Sequence, residues 1–457
     1  MRYAVPLVAA WCAFSLAAIR ADEANKDSVS FSKQIAPLLV KSCQACHGPQ
    51  DPMGSYQLYT YELMRKAGDT GSAPVTPGKP EDSELYRLIT HEDPDQRMPK
   101  EADALPAEQV ALVKKWIEQG AKFDGPDAKA QLTTLIPKNT QPDPPEAYRV
   151  PVPVTAVAFH PGGNELAVGG YHEITIWNPA DGKLLRRIKN VAQRVYGLKY
   201  NADGSLLAVA AGTPGQLGEA KLFNPADGTL VKDLGSMNDV AYDIAFSPAS
   251  DRVAACSADR SIRVWNVASG KEELLIEDHA DWVMAVTFNN DGTRLASASR
   301  DKTSKVFDAK TGDAVATYTG HGDTVFGVAF SADGKQVFSS GADKKVHVWN
   351  PADGKKAADI GGFGLEVYEL AVNGDKLFAC SADKQARLFD AGKRNQIKAF
   401  AGHADWIYAL SYHDGSKRLA TGGYDGEVKV WNIDDGKQVI GFKAAPGYVS
   451  ATAEAKK

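Results

Sequence analysis

Cysteine is scarce, with five residues among 457. Cys12 falls in an amino-terminal leader, which leaves four in the mature chain. Cys256 and Cys380 occupy equivalent places in separated units of a repeat, so neither a disulfide nor a metal is expected there. A bond between Cys43 and Cys46 would close too small a loop to stabilise much. A net basic charge is also missing. Lys and Arg total 52 against 57 Asp and Glu, a formal charge of −5, so nucleic acid is not an expected partner. Long apolar runs are absent apart from Val5–Ile19, too short for a spanning helix. Arg2 before that run and small residues after it mark residues 1–21 as a secretory signal, with cleavage after Ala17 or Ala21. Trp11 is too bulky to precede a lipoprotein cysteine. The mature protein is therefore expected to be periplasmic or otherwise exported, with no integral membrane span.

What is present is Cys43-Gln44-Ala45-Cys46-His47. Cys-x-x-Cys-His is the attachment pattern for one covalent c-type haem. Two thiols three positions apart can each add to a vinyl group of one macrocycle. The next residue, His47, then supplies a proximal imidazole to the iron. Other chemistries fit less well. A zinc site needs about four ligands, and no second Cys or His pair lies nearby. A thioredoxin-like pair should follow a strand, whereas Phe31, Ile35, Leu38 and Leu39 precede the motif at helical spacing.

Residues 22–124 read as a small all-α domain. Short helices are expected around Tyr61–Ala67 and over Asp82–Thr90, with Leu85, Leu88 and Ile89 on one face of the latter. A last helix begins at Pro106, has Val110, Leu112, Val113, Trp116 and Ile117 as its apolar face, and ends at Gly120. This segment holds 17 acidic and 12 basic side chains, which hints at a basic docking partner. The sixth iron position needs a ligand. Met53, Met64 and Met98 are available, and Met98 fits best because it lies in a loop ahead of the last helix and Pro99 keeps it extended. A thioether favours ferrous iron and suits electron transfer. His91 is the rival.

Ile35-Ala36-Pro37-Leu38-Leu39, Cys43–His47 with Gly48-Pro49, Pro77-Gly78-Lys79-Pro80, Ser83-Glu84-Leu85, Arg97-Met98-Pro99 and Trp116–Ala121 resemble the planctomycete-type cytochrome c domain. The resemblance covers nearly all of 30–122. It implies covalent haem c with His47 proximal and Met98 distal. Lys100 stands where members of the family often have a second proline.

Residues 125–150 are rich in proline (Pro126, Pro137, Pro142, Pro144, Pro145) and read as a semi-rigid linker without helix or central strand. Residues 151–445 then repeat, and 446–457 form a tail. Trp177, Phe223, Trp265, Phe307, Trp349, Phe389 and Trp431 recur at spacings of 46, 42, 42, 42, 40 and 42. A period in the low forties marks a four-stranded propeller blade. Asn-Pro-Ala-Asp-Gly follows the aromatic in three units, and Asp-Gly is a strong hairpin signal. The pattern resembles the WD-repeat propeller over seven units, an all-β body behind the all-α domain. The resemblance implies a buried polar network, met here by His279–Ser297–Asp301, His321–Ser339–Asp343 and His403–Thr421–Asp425. Where the His is missing, the Ser position is Ala255 or Ala379. Sets that recur in each blade are structural, not catalytic. Tyr242, Trp282, Phe326, Tyr368 and Trp406 fall near the start of first strands, toward a rim or the channel mouth.

Together these features predict an exported carrier of single electrons, with the propeller as docking platform for a redox protein and any enzymatic turnover residing in that partner. Two alternatives differ in class. One is an oxidoreductase whose propeller channel takes the substrate, against which no cluster of His, Asp or Glu converging on the channel stands out. The other is a haem-based sensor or peroxidase, which needs an open iron site.

Overall fold

A computed structural model describes residues 28–44, 46–48, 52–100, 103–125, 127–135 and 141–448. The signal read over 1–21 and the tail beyond 448 lie outside the described residues. The chain divides into two compact units, residues 1–139 and 140–457.

In the first unit a π-helical turn, Phe31–Ile35, runs into α1 (Ala36–Ser42). Ser30 caps this entry by accepting the Lys33 N–H at 3.0 Å. Helices α2 (Tyr61–Met64), α3 (Glu84–Ile89) and α4 (Ala107–Glu118) follow. The α2 segment stops three residues before the expected end, and α3 starts two residues late because Ser83 occupies its N-cap position. Pro106 is the N-cap of α4 and not its first residue. Gly120, at φ +93°, ends α4 in the left-handed region that glycine tolerates best. Phe31, Ile35, Leu39, Met64, Trp116 and Ile117 form the fully buried centre. The Trp116 indole N–H donates to the Lys122 carbonyl at 3.0 Å, so the largest core side chain leaves no buried donor unpaired.

The proline-rich stretch differs from its expected role as a linker. Residues 127–135 contain no proline, and Leu132 and Leu135, three positions apart, offer an apolar face. They form a short helix, α5 (Leu132–Leu135), and both leucines enter the first unit's core. Residues 141–148 instead belong to the second unit. The Tyr148 hydroxyl donates to the buried Glu173 carboxylate at 2.7 Å, and its N–H to the Pro446 carbonyl at 2.9 Å.

The second unit is a propeller of seven four-stranded antiparallel blades, each built from four consecutive strands. The first blade opens at Val157–Phe159 and the seventh ends at Gln438–Lys443. Side chains fill the space between blades, so second strands such as Arg252–Ser257 bury nearly every residue. The hairpins follow the turn chemistry. In Asn290-Asp291-Gly292 the Asp291 carboxylate accepts the Thr293 N–H at 2.8 Å, and Gly292 takes φ +72°. The insertion around Gly212–Gly218 lengthens the second blade's central hairpin, with Thr213 paired to Leu217. Among the described residues no strand is shared between the first and seventh blades, so closure rests on hydrogen bonds and packing between them. The Val154 N–H donates to the Gly423 carbonyl at 3.0 Å, the Phe159 N–H to the Ser411 hydroxyl at 3.0 Å, and the Trp177 and Phe442 rings lie 4.7 Å apart.

The polar network forms in full in the fifth blade. His321 bonds Asp343 through Nδ1 and Ser339 through Nε2, both at 2.8 Å, and the Trp349 indole donates to Ser339 at 3.1 Å. In the fourth blade His279 makes the same pair of bonds, and Phe307 brings no indole donor. The seventh departs from the pattern. His403 bonds Thr421 at 2.7 Å, and Trp431 does so at 2.9 Å, but Nδ1 of His403 has no partner because Asp425 pairs with Lys443. In the third blade the tryptophan stays where the serine has become Ala255, and the Trp265 indole N–H is left unpaired. The loss of polar partners is therefore incomplete there.

Candidate functional site

In the first unit Cys43, Cys46, His47 and Met98 border one cavity of about 350 Å³. Its walls include Leu58, Leu85, Leu88 and Ile89, so the space is largely apolar. Helix α1 delivers the motif. The Cys43 N–H still bonds back to Leu39, and the chain then turns so that the Cys46 and His47 N–H groups donate to the Cys43 carbonyl at 3.3 and 3.1 Å. Cys43 is half-buried and Cys46 exposed. Burial, then the neighbouring Cys46, pushes the Cys43 thiol up to about 11, which keeps it protonated at neutral pH.

His47 Nδ1 lies 3.1 Å from the Tyr56 carbonyl oxygen. A carbonyl only accepts, so Nδ1 carries the proton and Nε2 keeps its lone pair for a metal. The Leu58 N–H donates to the His47 carbonyl at 2.7 Å, and the Tyr56 hydroxyl to the Met64 carbonyl at 2.9 Å. The segment whose carbonyl orients the imidazole is thus itself anchored at Tyr56 and at Leu58.

Met98 comes from the loop between α3 and α4 and is tied to α3 by its N–H on the Leu88 carbonyl at 3.0 Å. Met64 is fully buried in the core and does not border the cavity. Met53 does border it, but is 61% exposed, and its N–H is bonded to the Cys46 carbonyl within the motif's own loop. His91 lies outside the cavity lining, and its Nδ1 accepts the Asp93 N–H at 3.2 Å. Two thiols, an imidazole with a free nitrogen and a thioether from a separate loop, around an apolar space, suit haem c.

Residues 43–102 match the family profile of Planctomycete cytochrome C. Five segments, 148–178, 228–266, 270–308, 312–350 and 394–432, match the WD domain, G-beta repeat. The chain joins a planctomycete-type cytochrome c domain to a WD-repeat propeller. The unmatched stretches hold the second blade, with its insertion, and the sixth, without the His and Ser. Curated relatives match only short spans. Nuclear distribution protein PAC1 of Coccidioides posadasii is 30% identical over 142 residues, 29% of this chain and 30% of that protein. Protein SOF1 of Saccharomyces cerevisiae is 37% identical over 73 residues, 16% of this chain and 14% of that one. A probable serine/threonine-protein kinase, PkwA, of Thermomonospora curvata is 49% identical over 45 residues, 10% of this chain and 6% of that one. The chain spans less than a third of the length of these relatives.

The cytochrome family implies haem c, and WD propellers serve as interaction platforms. Here the propeller carries more than its motif suggests. The sequence displays no cluster of acidic residues converging on the channel, yet the fold assembles one. Lys199, Asp243 and Glu369 line an axial cavity of about 310 Å³ together with Tyr196, Tyr242, Phe326, Tyr368 and Tyr408. Of the five aromatics expected near a rim or the channel, Tyr242, Phe326 and Tyr368 border the cavity. Trp282 instead lies under Arg300, whose guanidinium carbon is 3.7 Å from the ring centre, and Trp406 is 41% exposed.

Two groups of His and carboxylate atoms are close enough to suggest a metal, His321–Asp343–His347 and His403–Asp425–Glu427. Both include the repeating network. His347 Nδ1 is 2.6 Å from the Tyr318 hydroxyl, while its Nε2 lies 3.1 Å from Asp343 without a hydrogen bond to it. Cys256 and Cys380 are buried on the second strands of the third and sixth blades.

Proposed function

We propose that this protein is an exported single-electron carrier, with one haem c bonded through Cys43 and Cys46 and ligated by His47 and Met98, and with a propeller that docks its redox partner. The observation that carries this reading is the convergence of those four side chains on one apolar cavity. Haem c, when bound, supplies a one-electron ferric/ferrous couple. The Tyr56 carbonyl holds the His47 tautomer. The Met98 thioether favours the ferrous state and fills the position a gas or peroxide would need. Leu58, Leu85, Leu88 and Ile89 make the cavity apolar and would exclude water from the bound group. Among the described residues no helix is long and apolar enough to cross a membrane. Export rests on the leader and on the extracytoplasmic joining of haem to thiols.

The test is expression with a haem-ligation system. Intact mass should show one haem, and neither Cys43 nor Cys46 should react with a thiol reagent. Carbon monoxide should bind the ferrous protein slowly. A colourless product would overturn the haem assignment, and rapid carbon monoxide binding would favour a sensor or peroxidase. Pull-down with the full protein from the periplasm should recover a dehydrogenase or reductase, and recovery of none would remove the docking role.

A further inference from the structure

We propose that the axial cavity of the propeller binds a small organic cation, an alkylammonium or guanidinium group. This stands independently of the haem.

The argument starts from the register of the innermost strands. Each blade's first strand presents one residue opposite a small residue of its second strand, beside the bulge that breaks most of these pairings. In five blades the residue at this place is itself small: Ala156, just ahead of its strand, and Gly197, Ala285, Gly327 and Ala409. The third and sixth blades have Asp243 and Glu369 instead. These two blades also share Ala-Cys-Ser-Ala-Asp, at 255–259 and 379–383, and a tyrosine ahead of the acid, Tyr242 and Tyr368. They are one blade type used twice, and the carboxylate belongs to that type.

The carboxylates are held by neutral donors. Asp243 accepts the Ile244 and Val286 N–H groups at 2.8 and 3.1 Å, and Glu369 accepts the Leu410 N–H at 2.8 Å. Val286 and Leu410 belong to the first strand of the following blade, so each acid is braced across a blade boundary. These bonds position the charges without neutralising them. Lys199 is the one cation among the described residues lining the cavity, and its Nζ lies 3.5 Å from Glu369. Above the titration of Glu369, where both acids are ionised, one ammonium facing two carboxylates leaves the cavity one negative charge in surplus. Lys199 and Glu369 keep 42% and 31% of their side chains accessible, so the charges can be reached. Burial pushes both acids upward, Glu369 to about 7, with Lys199 offsetting part of the effect. An added cation would relieve that penalty.

The aromatic side chains supply the second half of the site. Tyr196, Tyr242, Phe326, Tyr368 and Tyr408 come from five blades and touch one another in two arcs. Tyr196 and Tyr242 are 5.3 Å apart, Phe326 and Tyr368 5.1 Å, and Tyr368 and Tyr408 4.9 Å. Aromatic rings around a partly desolvated cation are attractive through their quadrupoles. A cavity of about 310 Å³ admits a group of a few heavy atoms. The same ammonium chemistry could arrive as a free amine or as a lysine side chain of a partner.

The test is titration calorimetry on the full haem-loaded protein at pH 8, with n-butylammonium as probe and butyrate as its isosteric anion. The ammonium should bind about tenfold or more tightly than butyrate. Asp243→Asn with Glu369→Gln should weaken it by about tenfold, with an unchanged far-UV spectrum as the folding control. Lys199→Met removes the competing ammonium, so it should tighten binding severalfold. A lysine-containing tripeptide separates the sources: tighter binding than n-butylammonium assigns a partner's side chain, and equal or weaker binding assigns a free amine. Butyrate binding as well as the amine, or Lys199→Met abolishing binding, would overturn the proposal.

Discussion

Ser339→Ala and Ser297→Ala make the same chemical change at equivalent positions of adjacent blades, yet the structure predicts different costs. Ser339 is fully buried and serves two neighbours. Its hydroxyl can donate to His321 Nε2 at 2.8 Å while accepting the Trp349 indole N–H at 3.1 Å. Removing it strands two buried groups. Ser297 is equally buried but serves His279 Nε2 alone among these side chains, at 2.7 Å, because Phe307 brings no indole. Removing it strands one. A buried polar group without a partner costs about 1–3 kcal/mol, so Ser339→Ala should lose about 2–5 kcal/mol and Ser297→Ala about half as much. The assay is urea unfolding of the full protein followed by far-UV circular dichroism, comparing midpoints at equal slope in the propeller transition. The Trp265 indole, already unpaired opposite Ala255, tempers the upper figure, since the fold tolerates one such orphan. Equal losses for the two variants, or losses below about 0.5 kcal/mol for both, would refute the view that these hydroxyls act by satisfying their neighbours.

His403 should make stability depend on pH. Burial, with Lys429 and Lys443 nearby, lowers its pKa to about 4 from an ordinary 6.5. The folded state therefore resists the proton that the unfolded chain accepts. The contribution is fully present above pH 6.5 and drains away as pH falls toward 4, by about 3 kcal/mol. His403→Gln should flatten that slope relative to wild type in melts across the window, and parallel slopes would count against it. Met98→Ala should lower the reduction potential and let carbon monoxide bind the ferrous protein within mixing time, as read by redox titration and stopped flow. An unchanged potential would move the ligand assignment elsewhere. Tyr148→Phe removes a 2.7 Å hydrogen bond to a fully buried carboxylate and should cost about 1.5–3 kcal/mol in the same urea assay. A neutral result would mean that Arg187, already paired with Glu173, satisfies that carboxylate alone.

Much of the molecule is legible in one dimension because repetition and covalent chemistry both leave fixed spacings. Two thiols must stand three apart before a histidine, and a blade must return its aromatic every forty-odd residues. Features that depend on register are not legible in this way. Asp243 and Glu369 look like ordinary acids in a strand until the pairing sets them beside Ala156, Gly197, Ala285, Gly327 and Ala409. The bulge on the first strand is the reason. It inserts one residue into the alternation, so parity counted from the strand's start assigns the acid to the wrong side. The short α5 is hidden for a different reason, since its two leucines matter only against a core built from residues a hundred positions earlier. One signal was available without coordinates. Ala-Cys-Ser-Ala-Asp occurs twice, each copy downstream of a Tyr-acid pair, and a repeat within the repeat is what a site shared between two blades would leave behind.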